Sequence, residues 1–196
     1  MNKNKRLIYI SLLAAQGVVI TLLERSIPFP FAFAPGAKLG LANMVTILAL
    51  FTLPYKDSFK VVWMRLIIST FLGGTLSTFM YSFSGAFLSY FGMIAVRRLG
   101  PKRVSLIGVS ATGGILHNVG QLIVASTIAQ SFSVMLYLPV LAFTGIFSGI
   151  AVGIAANYLM EHVVTIQNFQ RQEAENDRLT RAWYQTNYTK EYQQLE

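Results

Sequence analysis

Apolar runs follow one another along most of this chain, covering residues 7–23, 39–53, 59–81, 84–96, 104–129 and 134–160, with short polar gaps between them. The hydrocarbon core of a bilayer takes roughly 20 apolar residues per helical crossing. Only helices and closed barrels satisfy their own backbone groups there. The runs lack the period-2 alternation of a barrel strand, so they predict helices. The fourth run is short and follows the third at once. The two are expected to form a tight hairpin turning at 82–85, and a count of five spans would fuse them or make one re-enter. After Met160 the composition turns polar and rich in Gln, Glu, Asn and Arg. This divides the chain into a six-helix transmembrane domain, 1–162, and a polar, partly helical C-terminal tail, 163–196. Two readings of the tail stand: a solvated helix with a frayed end, or a docking segment for a partner.

The charges orient the runs. Lys3, Lys5 and Arg6 precede the first, Lys56 and Lys60 separate the second from the third, and Arg97, Arg98, Lys102 and Arg103 separate the fourth from the fifth. The remaining gaps carry only Arg25 and Lys38. The positive-inside rule then places both termini in the cytoplasm, which requires an even number of spans and favours six. The net charge of +8 is accounted for by topology and attraction to an anionic leaflet, so nucleic acid is not expected as a partner. Run one is expected to be an uncleaved anchor. The small-residue site Ala32-Phe33-Ala34 lies well beyond it and is followed by Pro35.

Polar side chains inside such runs are the functional candidates, because lipid penalises them. Arg65 lies six residues into the expected third span, about 9 Å from its basic end. It either snorkels to the headgroups or pairs inside the bundle. His117, Asn118 and Gln121 form the densest cluster. His117 and Gln121 are four apart and share a helix face, and Gly113, Gly114 and Gly120 let another helix come close. They form either an interhelical clamp or a ligand-facing group, and Asn43 with Thr46 carries the same two readings. The gap at 24–38 is rich in Phe and Pro. Its phenylalanines cap an outward cavity or sit in the interface. Pro35-Gly36 leads into span two, whose N-terminal amides, with Lys38 beside them, suit an anionic group.

Several chemistries are argued against. No cysteine is present, which excludes disulfides, thiolate metal sites and iron–sulfur clusters. The two histidines, His117 and His162, fall at different depths, which suits neither a metal centre nor a bis-His haem. A prenyl diphosphate synthase holds magnesium on paired aspartates, and this chain has only Asp57 and Asp177, both isolated. Ser110-Ala111-Thr112 and Ser84-Gly85-Ala86 depart from the sites at which flavin is esterified. No Walker A loop is present, so any ATP hydrolysis belongs to a partner.

The same residues carry a resemblance. Pro35-Gly36-x-Lys38-Leu39-Gly40-Leu41-Ala42-Asn43, Arg65, Ser84-Gly85 with Ser89, Gly108-x-Ser110, His117-Asn118-x-Gly120-Gln121, Pro139 and Gly145 to Gly149 resemble the Gx transporter family, also labelled heptaprenyl diphosphate synthase component I. That family is similar to the substrate-binding S components of energy-coupling-factor transporters. The resemblance implies six helices, a ligand taken from outside, a transmembrane partner with two ATPases, and an association with flavin- and quinone-based extracellular electron transfer. It also implies that small residues of the first helix meet the coupling partner, for which Ser11, Ala14, Ala15 and Gly17 are the candidates.

The expectation is therefore an all-α, six-transmembrane-helix bundle of S-component type in the bacterial cytoplasmic membrane, N-in and C-in and without enzymatic activity. It would bind an amphipathic or anionic molecule, flavin- or quinone/prenyl-related, through Lys38, Asn43, Arg65, His117, Asn118 and Gln121. No cofactor is firmly implied beyond a non-covalent flavin or quinone ligand. The alternative is a non-transporting membrane subunit among redox proteins.

Overall fold

The shortest apolar helix is the most central. The computed structural model describes residues 3–26 and 39–192, with side chains up to Thr186. In it α2 (Asn43–Thr52) has 10 residues, all buried except Met44. Its sequence is apolar on every side, so it can be surrounded. It touches α1 (Lys3–Ser26), α3 (Tyr55–Phe71), α4 (Leu76–Arg97), α5 (Leu106–Ile128), α6 (Leu138–His162) and α7 (Val164–Asn176). Pro54 follows directly, and α2 reaches only about 15 Å.

Four helical stretches are long and apolar enough to cross a bilayer: Lys3–Ser26, Leu76–Arg97, Leu106–Ile128 and Phe132–His162, the last being a 3-10 turn that runs into α6. They make the chain a multi-pass membrane protein. The other two expected spans do not meet that standard by themselves. Helix α2 is too short, and the 17 residues of α3 include Lys56, Asp57, Lys60 and Arg65.

The expected hairpin at 82–85 is corrected to 72–75. Helix α3 stops at Phe71 before Gly73-Gly74, where Gly73 has a φ of 131°. Thr75 then opens α4 with a capping box: its hydroxyl accepts from the Thr78 amide at 3.2 Å, and its amide donates to the Thr78 hydroxyl at 2.7 Å. Ser84 and Gly85 instead lie inside α4, facing α5. A Cβ on Gly120 would stand 2.5 Å from the Ser84 carbonyl oxygen. Helices α5 and α6 come equally close. A Cβ on Gly114 would stand 2.1 Å from the Gly145 oxygen, one on Gly149 2.7 Å from the Ser110 oxygen, and one on Gly153 2.9 Å from the Ile107 Cα. This is the small-residue packing that membrane helices use where lipid removes the hydrophobic drive.

The tail is not a solvated helix. Helices α7 and α8 (Arg178–Tyr192) fold back onto the basic end of the bundle. Phe169 stacks on Tyr9 with ring centroids 3.8 Å apart, and Trp183 sets its edge on Phe51 at 5.1 Å. Arg97, buried at the end of α4, donates to the Tyr55 hydroxyl at 3.1 Å and the Thr180 hydroxyl at 2.7 Å, and it lies over the Phe51 ring. The Trp183 indole N–H returns a bond to the Arg97 carbonyl at 3.2 Å. Nearby, Asp57 pairs with Arg6 and with Lys60. The aromatic spacing of the tail signals this docking, but a burial partner 86 residues away cannot be read from local composition.

Asp177 caps α8, accepting from the Thr180 amide at 2.8 Å and its hydroxyl at 2.6 Å. Burial alone would push this carboxyl up, but the Thr180 bonds and the Arg97 charge together bring it below the ordinary value. A depressed acid stabilises the fold above its unfolded pKa and loses that contribution as pH falls through the folded one. Glu173 goes the other way: burial raises it despite Arg6 and Arg97. Asp177→Ala is expected to cost about 1 kcal/mol at neutral pH and to speed amide hydrogen exchange in α8. Asp177→Asn keeps the cap and costs less. Equal exchange in all three proteins at neutral pH would contradict this role.

Candidate functional site

Toward the end opposite the basic cluster, five elements bring polar groups to one small cavity of about 20 Å³. Thr21 and Glu24 come from α1, Gly40 and Ala42 from the turn before α2, Arg65 from α3, Ser82 from α4 and His117 from α5. The volume is room for about one water molecule. Glu24, Arg65 and His117 are each at most 5% exposed.

Arg65 corrects its expected depth. Helix α3 begins at Tyr55, so Arg65 lies ten residues in, about 15 Å along the axis and nearer the far end. It does not snorkel. Its stem passes Gly17 of α1, where a Cβ would stand 2.7 Å from the Arg65 Cδ. Its guanidinium lies in the field of the Glu24 carboxylate.

Glu24 is the residue that the sequence reading missed as a site group. Its carboxylate accepts the backbone amides of Gly40 and, at 3.2 Å, Leu41. These are among the amides expected to attract an anionic ligand. The protein supplies the anion itself, because α1 ends beside the start of α2. The available signal was that Glu24 is the first acid in the chain, with none following until Asp57, and it closes an apolar run.

His117 sits mid-helix in α5, between two glycines. A Cβ on Gly40 would stand 3.0 Å from its Cδ2, and one on Gly85 would stand 2.9 Å from its Cε1. Gly40 also has a φ of 82°, which disfavours any side chain there. His117 Nε2 meets Gln121 Nε2 at 2.7 Å, so the expected i, i+4 pair forms. Asn43 joins them from α2. The same Gly40 Cβ position lies 3.1 Å from its Nδ2. Both ends of the Asn43 amide are buried and without a hydrogen-bond partner among the described residues, a costly state of about 1–3 kcal/mol. Such an orphan inside an otherwise packed bundle calls for an explanation.

The other candidates lie elsewhere. Asn118 faces α6, donating to the Leu141 carbonyl at 2.7 Å and the Thr144 hydroxyl at 3.3 Å, an arrangement that clamps α5 to α6. On α1, Ser11 and Ala15 are exposed, while Ala14 and Gly17 are buried against the bundle, so the four do not share one outward face. Lys38, the Ala32-Phe33-Ala34 site and the phenylalanines of the 24–38 gap lie outside the described residues.

Comparison with curated proteins and with solved structures returns no significant match. The family model described as heptaprenyl diphosphate synthase component I matches residues 13–159. That span takes in α2 to α5 entire and most of α1 and α6, hence every group around the cavity. The chain belongs to the heptaprenyl diphosphate synthase component I family, the Gx-transporter, S-component-like family that its motifs resemble.

Proposed function

We propose that this protein is the membrane-embedded substrate-binding member of a transport system, S-component-like, with both termini in the cytoplasm and its cavity toward the exterior. The observation that carries this reading is the Asn43 amide, without a hydrogen-bond partner among the described residues, next to Gly40 and His117 of a cavity that Arg65 and Glu24 also line. Polar groups held in lipid at such cost mark a ligand path. Glu24 balances Arg65 and occupies the Gly40 and Leu41 amides. The site therefore suits an amphipathic molecule with an uncharged or zwitterionic hydrogen-bonding head better than a strong anion. A flavin or a quinone-type ring fits that chemistry, and Lys38 acts as an outer attractor. The cavity is far smaller than such a molecule, so binding requires α1 and the start of α2 to separate from α5.

The synthase label is not supported as an activity of this chain. Asp57 is committed to Arg6 and Lys60, and Asp177 to the cap of α8. Neither is placed to hold a magnesium diphosphate. Coupling to ATPases passes through a partner.

Native mass spectrometry and visible absorbance of the detergent-extracted protein test the reading. One small molecule is expected to be retained. Asn43→Leu is close in size and removes an unsatisfied amide. It is expected to raise thermal stability by about 1 kcal/mol while abolishing retention. Full retention by Asn43→Leu would remove Asn43 from the site. A wild-type protein that retains nothing and co-purifies only with redox proteins would favour a non-transporting electron-transfer subunit.

A further inference from the structure

A second binding surface lies at the opposite, basic end. Helices α3 and α4 are joined by the tight turn at 72–75 and run antiparallel, so the start of α3 and the end of α4 share one level. Between them runs an open groove of about 570 Å³. Lys56 and Arg98 stand at its mouth, and Phe59, Phe91 and Ile94 line it one turn further in. Its wall is fixed rather than adaptable. The Tyr90 hydroxyl donates to the Tyr55 carbonyl at 2.8 Å and meets the Ser58 hydroxyl at 2.9 Å. Phe59 packs on Tyr90 and Phe91 with centroids 5.4 and 6.4 Å apart.

The charges are equally defined. Lys56 and Arg98 are exposed, and neither has an acidic partner among the described residues. The nearest acid on α3, Asp57, is buried and already neutralised by Arg6 and Lys60. Arg97 points inward to Tyr55 and Thr180, leaving Arg98 to face out. Two cations without an acidic partner among the described residues thus cap an apolar, aromatic channel, in line with exposed Phe87 and Phe91 on the same face of α4.

We infer that this groove is a binding site for an anionic phospholipid of the surrounding bilayer, its phosphate held between Lys56 and Arg98 and one acyl chain lying along Phe59, Phe91 and Ile94. The charge pattern matches the headgroup and the aromatic wall matches the chain, in the order in which a membrane presents them. This inference does not depend on the cavity at the other end.

The test is native mass spectrometry of the full chain from micelles doped with dioleoyl phosphatidylglycerol or dioleoyl phosphatidylcholine. The phosphatidylglycerol is expected to stay bound preferentially. Lys56→Ala with Arg98→Ala should weaken it about 25-fold, taking a factor of about five for each surface cation. Lys102→Ala with Arg103→Ala removes the same charge outside the groove and should leave retention close to wild type. Ala95→Trp, which fills the groove with both cations intact, should abolish the preference. Equal losses from the two double variants, or unchanged retention in Ala95→Trp, would overturn the site and leave only diffuse attraction of lipid to a basic surface. Displacement by inorganic diphosphate without any effect of acyl-chain length would also overturn it, because the groove would then recognise phosphate alone.

Discussion

Gly114→Val is expected to leave no folded bundle. A side chain there meets the Gly145 carbonyl oxygen, which a Cβ would approach to 2.1 Å. Backbone cannot move aside as a rotamer can. The two helices would have to part along the whole seam that Gly145, Gly149 and Gly153 make with Ile107, Ser110 and Gly114. Overpacking a close-packed site costs about 1–3 kcal/mol or more, and this contact is the most extensive between two helices among the described residues. Size-exclusion chromatography of the detergent-extracted protein should show loss of the monodisperse species. Phe147→Leu, on the exposed face of the same helix α6, should behave as wild type. A monodisperse Gly114→Val protein with an unchanged melting temperature would mean that α5 and α6 do not meet here.

The second large effect concerns Arg65 and Glu24. Arg65→Leu removes the cation facing a buried carboxylate, and Glu24→Leu removes the carboxylate facing a buried guanidinium. Each single change is expected to destabilise by about 3–5 kcal/mol, since it strands a charge away from water. Glu24→Leu additionally frees the Gly40 and Leu41 amides. The double variant should cost clearly less than the two single costs added together. Thermal unfolding in one detergent, arranged as a double-mutant cycle, measures that difference. Strict additivity would show that the two charges do not interact. The sequence alone suggests a simpler outcome for Arg65→Ala, weaker ligand binding with folded yield intact. Burial against Gly17 and Glu24 makes loss of yield the larger effect.

The sequence made the bundle legible because hydropathy and capping are local. Helix α5 starts at Leu106 behind the Ser105 cap, within two residues of the expected 104. His117 and Gln121 pair as their spacing requires. The α3–α4 turn was missed although Gly73-Gly74-Thr75 spells it out. The apolar run continues through those residues, and hydropathy outweighed turn chemistry in the reading. Asn43, Arg65 and His117 stand out in the sequence as polar residues inside apolar runs. Their roles were less visible, because a role depends on the facing residue. Nothing near Asn118 announces Leu141 and Thr144, and nothing near Gly40 announces Glu24. The contacts of the tail are hidden for the same reason, since Trp183 finds Phe51 and Arg97 only in three dimensions.

The clasp on Arg97 also has a bearing on biosynthesis. Its guanidinium is enclosed by Tyr55, Phe51 and Thr180, yet Thr180 leaves the ribosome 83 residues after Arg97. A nascent chain that has already inserted α4 must hold this cation without its last partner until α8 emerges. Products that stop short of Thr180 would lack the cover that Trp183 gives Phe51, a feature that quality-control proteases can recognise. Emergence of α8 is thereby built into the closure of the bundle.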